Sequence, residues 1–117
     1  MNDTDEIKKR YMRDPLAIRL GGLAANLARI SSFVQNESNK DAVVSLLNES
    51  KHFIEWTAGE VEAENAGKLV ELQVTIARWQ LNLDQVWSNE AARHKIGKLS
   101  KEFSAKVIAG SGLLESS

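Results

Sequence analysis

The stretch from Glu60 to Trp87 is apolar on two opposite faces, which leaves few places for it in a small fold. At about 100° per residue, Val61, Leu69, Leu72, Ile76, Trp79, Leu83, Val86 and Trp87 share one wide face. Their spacings are mostly three and four, as in an amphipathic helix. Ala63, Val70, Val74, Ala77 and Leu81 fall nearly opposite. Glu64, Glu71, Arg78, Asn82 and Gln85 separate the rows on one side and form a solvent stripe. Gln73, Gln80 and Asp84 separate them on the other. A helix apolar on two sides is either surrounded by its own chain or shared with another chain. The first arrangement makes this stretch the central helix of a bundle. The second makes Val70, Val74, Ala77 and Leu81 a homodimer seam. A chain of 117 residues has few helices left to cover both faces, which favours the second arrangement and leaves the first open.

The composition supports one all-helical domain. The hydrophobic fraction, 43%, suffices for a small core. One proline, few aromatics and no strand-like alternation argue against a β-rich fold. The absence of cysteine excludes disulfides, thiolate metal sites and cysteine nucleophiles, and fits a reducing cytosol. Net charge is −1 and the pI about 6.1, so no overall field draws the chain to nucleic acid or anionic lipid. The first ten residues, MNDTDEIKKR, lack the apolar core of a signal peptide. The best candidate for a membrane span is interrupted by Arg19 and Asn26.

Taken in order, Asp3 to Arg13 reads as a short helix, with a frayed tail as the alternative. Asp3 or Thr4 caps it, and Ile7 and Tyr11 anchor it four residues apart. Asp14-Pro15 is a helix start, with proline at the first helical position. Leu16, Leu20, Leu23, Leu27, Ile30 and Val34 then repeat at 4-3-4-3-4, the knobs-into-holes rhythm. Ala17, Gly21, Ala24, Ala25, Ala28, Ser31 and Ser32 lie beside this seam and let a neighbouring backbone approach. Gly21-Gly22 reads chiefly as tight packing, with a kink or a ligand approach as alternatives. Val43, Leu46, Leu47, Phe53, Ile54 and Ala58 form the buried side of the next helix, which ends on Gly59 as a left-handed cap. Ser88-Asn89 closes the long helix and caps the last one. Ala92, Ile96, Leu99, Phe103 and Val107 are the core side of that helix.

Three groups of residues bear on function. Ser45, Glu49, His52 and Trp56 line up away from their own helix's core. Tryptophan so placed is covered by another element, such as the N-terminal segment, is a contact anchor for a partner, or is incidentally exposed. Glu49-x-x-His52 has the spacing used in di-iron bundles, but it occurs once and off the core face. His94-Lys95-Ile96-Gly97-Lys98 resembles a scrambled histidine phosphotransfer motif, with Gly97, Lys98 and Lys101 expected around His94 on the exposed side. Finally, Lys8-Lys9-Arg10 and Arg93, Lys95, Lys98, Lys101 and Lys106 are basic clusters. Glu49, Glu55, Glu60, Glu62 and Glu64 form an acidic one, and such asymmetry orients partners.

The stretches Arg13 to Ile30 (RDPLAIRLGGLAANLARI), Glu49 to Ala58 (ESKHFIEWTA) and Leu69 to Gln73 (LVELQ) resemble small uncharacterised all-helical proteins of cyanobacteria. The resemblance covers most of the chain. It implies a cytoplasmic bacterial protein and brings no activity or catalytic motif with it.

The expected fold is all-α: a single domain over 1–117, an antiparallel four-helix bundle with helices near 15–36, 41–58, 60–88 and 90–109. A short N-terminal helix occupies segment 1–13, and 111–117 is a loose tail. The expected function is a non-enzymatic, cytoplasmic interaction or scaffold module with no cofactor or metal. It self-associates through Val70, Val74, Ala77 and Leu81, and Glu49, His52 and Trp56 offer a surface to another protein. No nucleic acid or membrane is expected as a partner. The alternative is a phosphotransfer-like signalling protein with His94 as phosphoacceptor. A third class is an enzyme or small-ligand binder with its pocket near Gly21-Gly22 and the tryptophans.

Overall fold

Helical repeats separated by short polar connections leave little freedom in how this chain folds, and the computed structural model follows them closely. It describes residues 3–111; the tail with Leu113 and Leu114 lies outside the described residues. Among the described residues the chain forms five α-helices and no strand. They are α1 (Asp3–Met12), α2 (Leu16–Phe33), α3 (Lys40–Thr57), α4 (Ala63–Val86) and α5 (Glu90–Ala109). Short 3-10 turns cover Glu37–Asn39 and Ala58–Glu60.

The caps explain most boundaries. Asn89 accepts from the Ala92 N–H at 3.0 Å and starts α5 where expected. Pro15 stands one position earlier than expected, as the N-cap of α2, with ψ at 155°. Asp14 contributes its backbone carbonyl, which accepts from Arg19 Nε at 3.0 Å. Gly59 does not take the left-handed conformation expected of it. The chain runs from α3 into a 3-10 turn, whose backbone keeps φ negative.

Like α3, α2 has a helix on each flank. It packs most extensively on α5 and next on α3, while α4 lies against α3 and meets α5 only lightly. Of the two arrangements open to α4, enclosure within its own chain is therefore not the one adopted. The reason lies in the small residues of α2 and α5, which bring these two helices closest. Ser104 Oγ donates to the Ala24 carbonyl at 2.8 Å. A Cβ on Gly97 would come within 2.9 Å of Val34 Cγ2 and 3.2 Å of the Ser31 carbonyl. Arg93 Nε donates to the Val34 carbonyl at 3.1 Å. These contacts advance along α2 as they recede along α5, so the two helices run antiparallel. Gly97, rather than Gly22, is where the α2 and α5 backbones need glycine; a Cβ on Gly22 would meet Tyr11 at an ordinary 3.8 Å.

The core gathers Leu20, Leu23, Leu27 and Ile30 of α2 and its C-cap Val34 with Val43, Leu47 and Ile54 of α3. Leu69, Leu72, Ile76, Leu83 and Trp87 join from the α4 segment, and Ile96 and Val107 from α5. α1 lies along the outside of α3. Tyr11 stacks on Phe53 with ring centroids 3.9 Å apart, and Ile7 packs on the same core.

Candidate functional site

The outer row of α4 is where sequence and structure leave something unexplained. Its inner row is buried or half-buried throughout, as the spacing requires. Opposite it, Leu81 is 81% exposed, Val70 51% and Val74 47%, and Ala77 and Ala63 are exposed too. Single exposed apolar side chains such as Met12 and Ile18 are ordinary. Three large ones and an alanine at helical spacing on one face form a stripe. Asp84, on the edge of that stripe, is held by Lys40 of α3 at 2.6 Å. Val44, one turn on from Lys40, is exposed on the same helix.

The α3 stripe is covered in part. Trp56 is half-buried, packing tilted against Tyr11 at 5.9 Å and Phe53 at 6.1 Å, so α1 supplies the cover that its position calls for. His52 stacks on Trp56 at 5.4 Å, and its Nδ1 lies 3.3 Å from Glu55. Glu49 turns inward and accepts from buried Asn26 at 3.0 Å. Together with Thr4 and Ile7 these residues line a cleft of about 220 Å³ between α1 and α3. Among the described residues no three His, Asp or Glu gather as a metal site.

His94 is half-exposed, and its Nε2 lies 3.7 Å from the Glu90 carboxylate. An anion so close repels a phosphoryl group. Gly97 is buried against α2, so it does not open the surface around His94. Lys98 and Lys101 are exposed. Arg93, grouped by sequence with these lysines, is 6% exposed. It donates to the Val34 and Trp87 carbonyls and lies 5.6 Å from the Trp87 ring centroid.

Arg19 was legible only as an interruption of an apolar run. It is 6% exposed and grips Glu60 with two bonds of 2.7 Å. This fork is the strong, bidentate kind. By donating to it, Arg19 holds the Glu60 carboxyl below the usual carboxylate range, and its own pKa rises. Tyr11 donates to the Arg19 carbonyl at 2.8 Å and accepts from Thr57, while burial pushes its phenol up. The knot ties α1, α2 and α3 together and is structural.

A second cleft escaped the sequence. About 220 Å³ opens between α4 and α5, floored by Leu20, Leu69, Leu72 and Val107, with exposed Lys68 and Lys106 beside it. Each of these apolar residues reads as core in the linear pattern. Only the light contact of α4 with α5 leaves space between them. No described helix is long and apolar enough to cross a membrane. No family model, curated protein or solved structure matches the chain.

Proposed function

We propose that this protein is a non-enzymatic interaction module of the cytoplasm that self-associates through Val70, Val74, Ala77 and Leu81. In this reading α2 to α5 serve as an antiparallel four-helix bundle, α1 is its strap, and α4 presents its outer face to a second copy. The observation that carries it is the exposed stripe on α4, in a chain whose other apolar seams are buried. Burying a leucine contributes roughly 1.5–3 kcal/mol, and Leu81 has most of that still to gain. The neutral flank of Gln73 and Gln80 supports the same use, since amides lose less than charges when water is excluded.

Val74→Asp tests the seam. A carboxylate held there without a partner costs well above the ~1.4 kcal/mol that changes affinity tenfold. The variant should stay helical and behave as a monomer where the wild type is a dimer. A variant that keeps the wild-type assembly and stability would remove this face from consideration.

A further inference from the structure

The apolar row of α4 reads the same in both directions. Val70, Val74, Ala77 and Leu81 are spaced four, three and four. Reversal leaves that order unchanged, so an antiparallel copy of the helix offers the same spacing back. With a two-fold axis between Thr75 and Ile76, Val70 faces the partner's Leu81 and Val74 faces the partner's Ala77.

The flanks follow the same symmetry. Glu71 and Arg78 lie on one side of the row, Gln73 and Gln80 on the other. When two helices pair antiparallel, each flank meets the same flank of its partner. Glu71 then meets the partner's Arg78, and Arg78 the partner's Glu71. Gln73 and Gln80 meet in the same way across the opposite edge. Within one helix Glu71 and Arg78 are about 10.5 Å apart along the axis, too far to pair with each other. Both are exposed, and among the described residues neither makes an ion pair within its own chain. A parallel pairing would set the charged flank against the amide flank and gain no ion pair.

The ends of the seam are compatible with this register. The next positions outward are Gly67 and Asp84, which meet each other across the axis. A Cβ on Gly67 would meet nothing within 4 Å, so the residue leaves room beside Asp84. The Asp84 carboxylate already has Lys40 as its counter-ion.

We propose that two copies of this chain pair α4 against α4 in an antiparallel, two-fold arrangement, with a Glu71–Arg78 ion pair formed twice along one edge. This rests on the self-association proposed above and adds its direction and register. It is tested with Glu71→Arg, Arg78→Glu and a 1:1 mixture of the two, following dissociation by sedimentation at low salt. Each variant alone sets like charges opposite each other twice, and its homodimer should weaken by about tenfold or more. The mixture should form a heterodimer close to wild-type affinity. One copy then carries arginine at both positions and the other carries glutamate at both, so opposite charges face each other twice. Both positions are exposed, so the fold should be unchanged by circular dichroism. If the single variants dimerise as the wild type does, or the mixture is no tighter than its components, the antiparallel register is wrong. The seam itself would still stand as long as Val74→Asp dissociates the dimer. A wild-type chain that stays monomeric would overturn both.

Discussion

Gly22 and Gly97 are both glycines inside helices, yet they should respond oppositely to a methyl group. At Gly22 a Cβ meets Tyr11 at ordinary contact distance. Gly22→Ala should therefore raise stability by about 0.5–1 kcal/mol, the entropic cost of a helical glycine. At Gly97 the same atom meets Val34 at 2.9 Å and a backbone carbonyl at 3.2 Å, which forces α5 away from α2. Gly97→Ala should cost about 1–3 kcal/mol. Urea unfolding of the two variants measures both, and a stabilising Gly97→Ala would mean that α2 and α5 do not meet closely at Gly97. The Arg19–Glu60 pair gives a pH signature. The Glu60 carboxyl titrates lower in the folded chain than its ordinary value of 4.5. Its contribution is present above that value and is lost as pH falls through the lowered one. Glu60→Gln should thus flatten the acid limb of the stability profile while leaving the neutral and alkaline regions parallel to the wild type.

Among the elements, α5 shows what a linear pattern reveals and what it hides. Its start follows from Asn89 and its inner face from Ile96, Phe103 and Val107 at helical spacing. α2 and the inner row of α4 were legible for the same reason, because periodicity is local. Arg93 was not. Whether a cation is buried depends on which carbonyls tertiary packing delivers to it, and here they come from the ends of α2 and α4. The burial of Arg19 was hidden in the same way. The choice of hub was also hidden. α4 is longer and apolar on two faces, but Gly97, Ala24 and Ser104 make α2 the closer neighbour of α5. The Arg93 bonds predict a sharp difference within one basic cluster. Bonds to charged donors contribute roughly 1.5–3 kcal/mol each. Arg93→Met should destabilise by about 2–4 kcal/mol, whereas Lys98→Met, at an exposed position, should stay within about 0.5 kcal/mol. Equal effects in thermal melts would mean that Arg93 contributes nothing at the helix ends.

For the molecule as a whole, the helices associate as α5–α2–α3–α4, with α1 along α3 and a cleft where α4 and α5 only touch. That arrangement flanks α2 and α3 on both sides and leaves α4, at one end, with an apolar back. A net charge of −1 adds little repulsion between copies, so nothing global opposes pairing through that back. The enclosure of Val74 and Leu81 between copies is tested most directly by the solution mass of the unmodified chain, followed by light scattering across a concentration series. The expected result is a rise from the 13.0 kDa of one chain toward twice that value, with a plateau there. A mass that stays at 13.0 kDa at every concentration would contradict it.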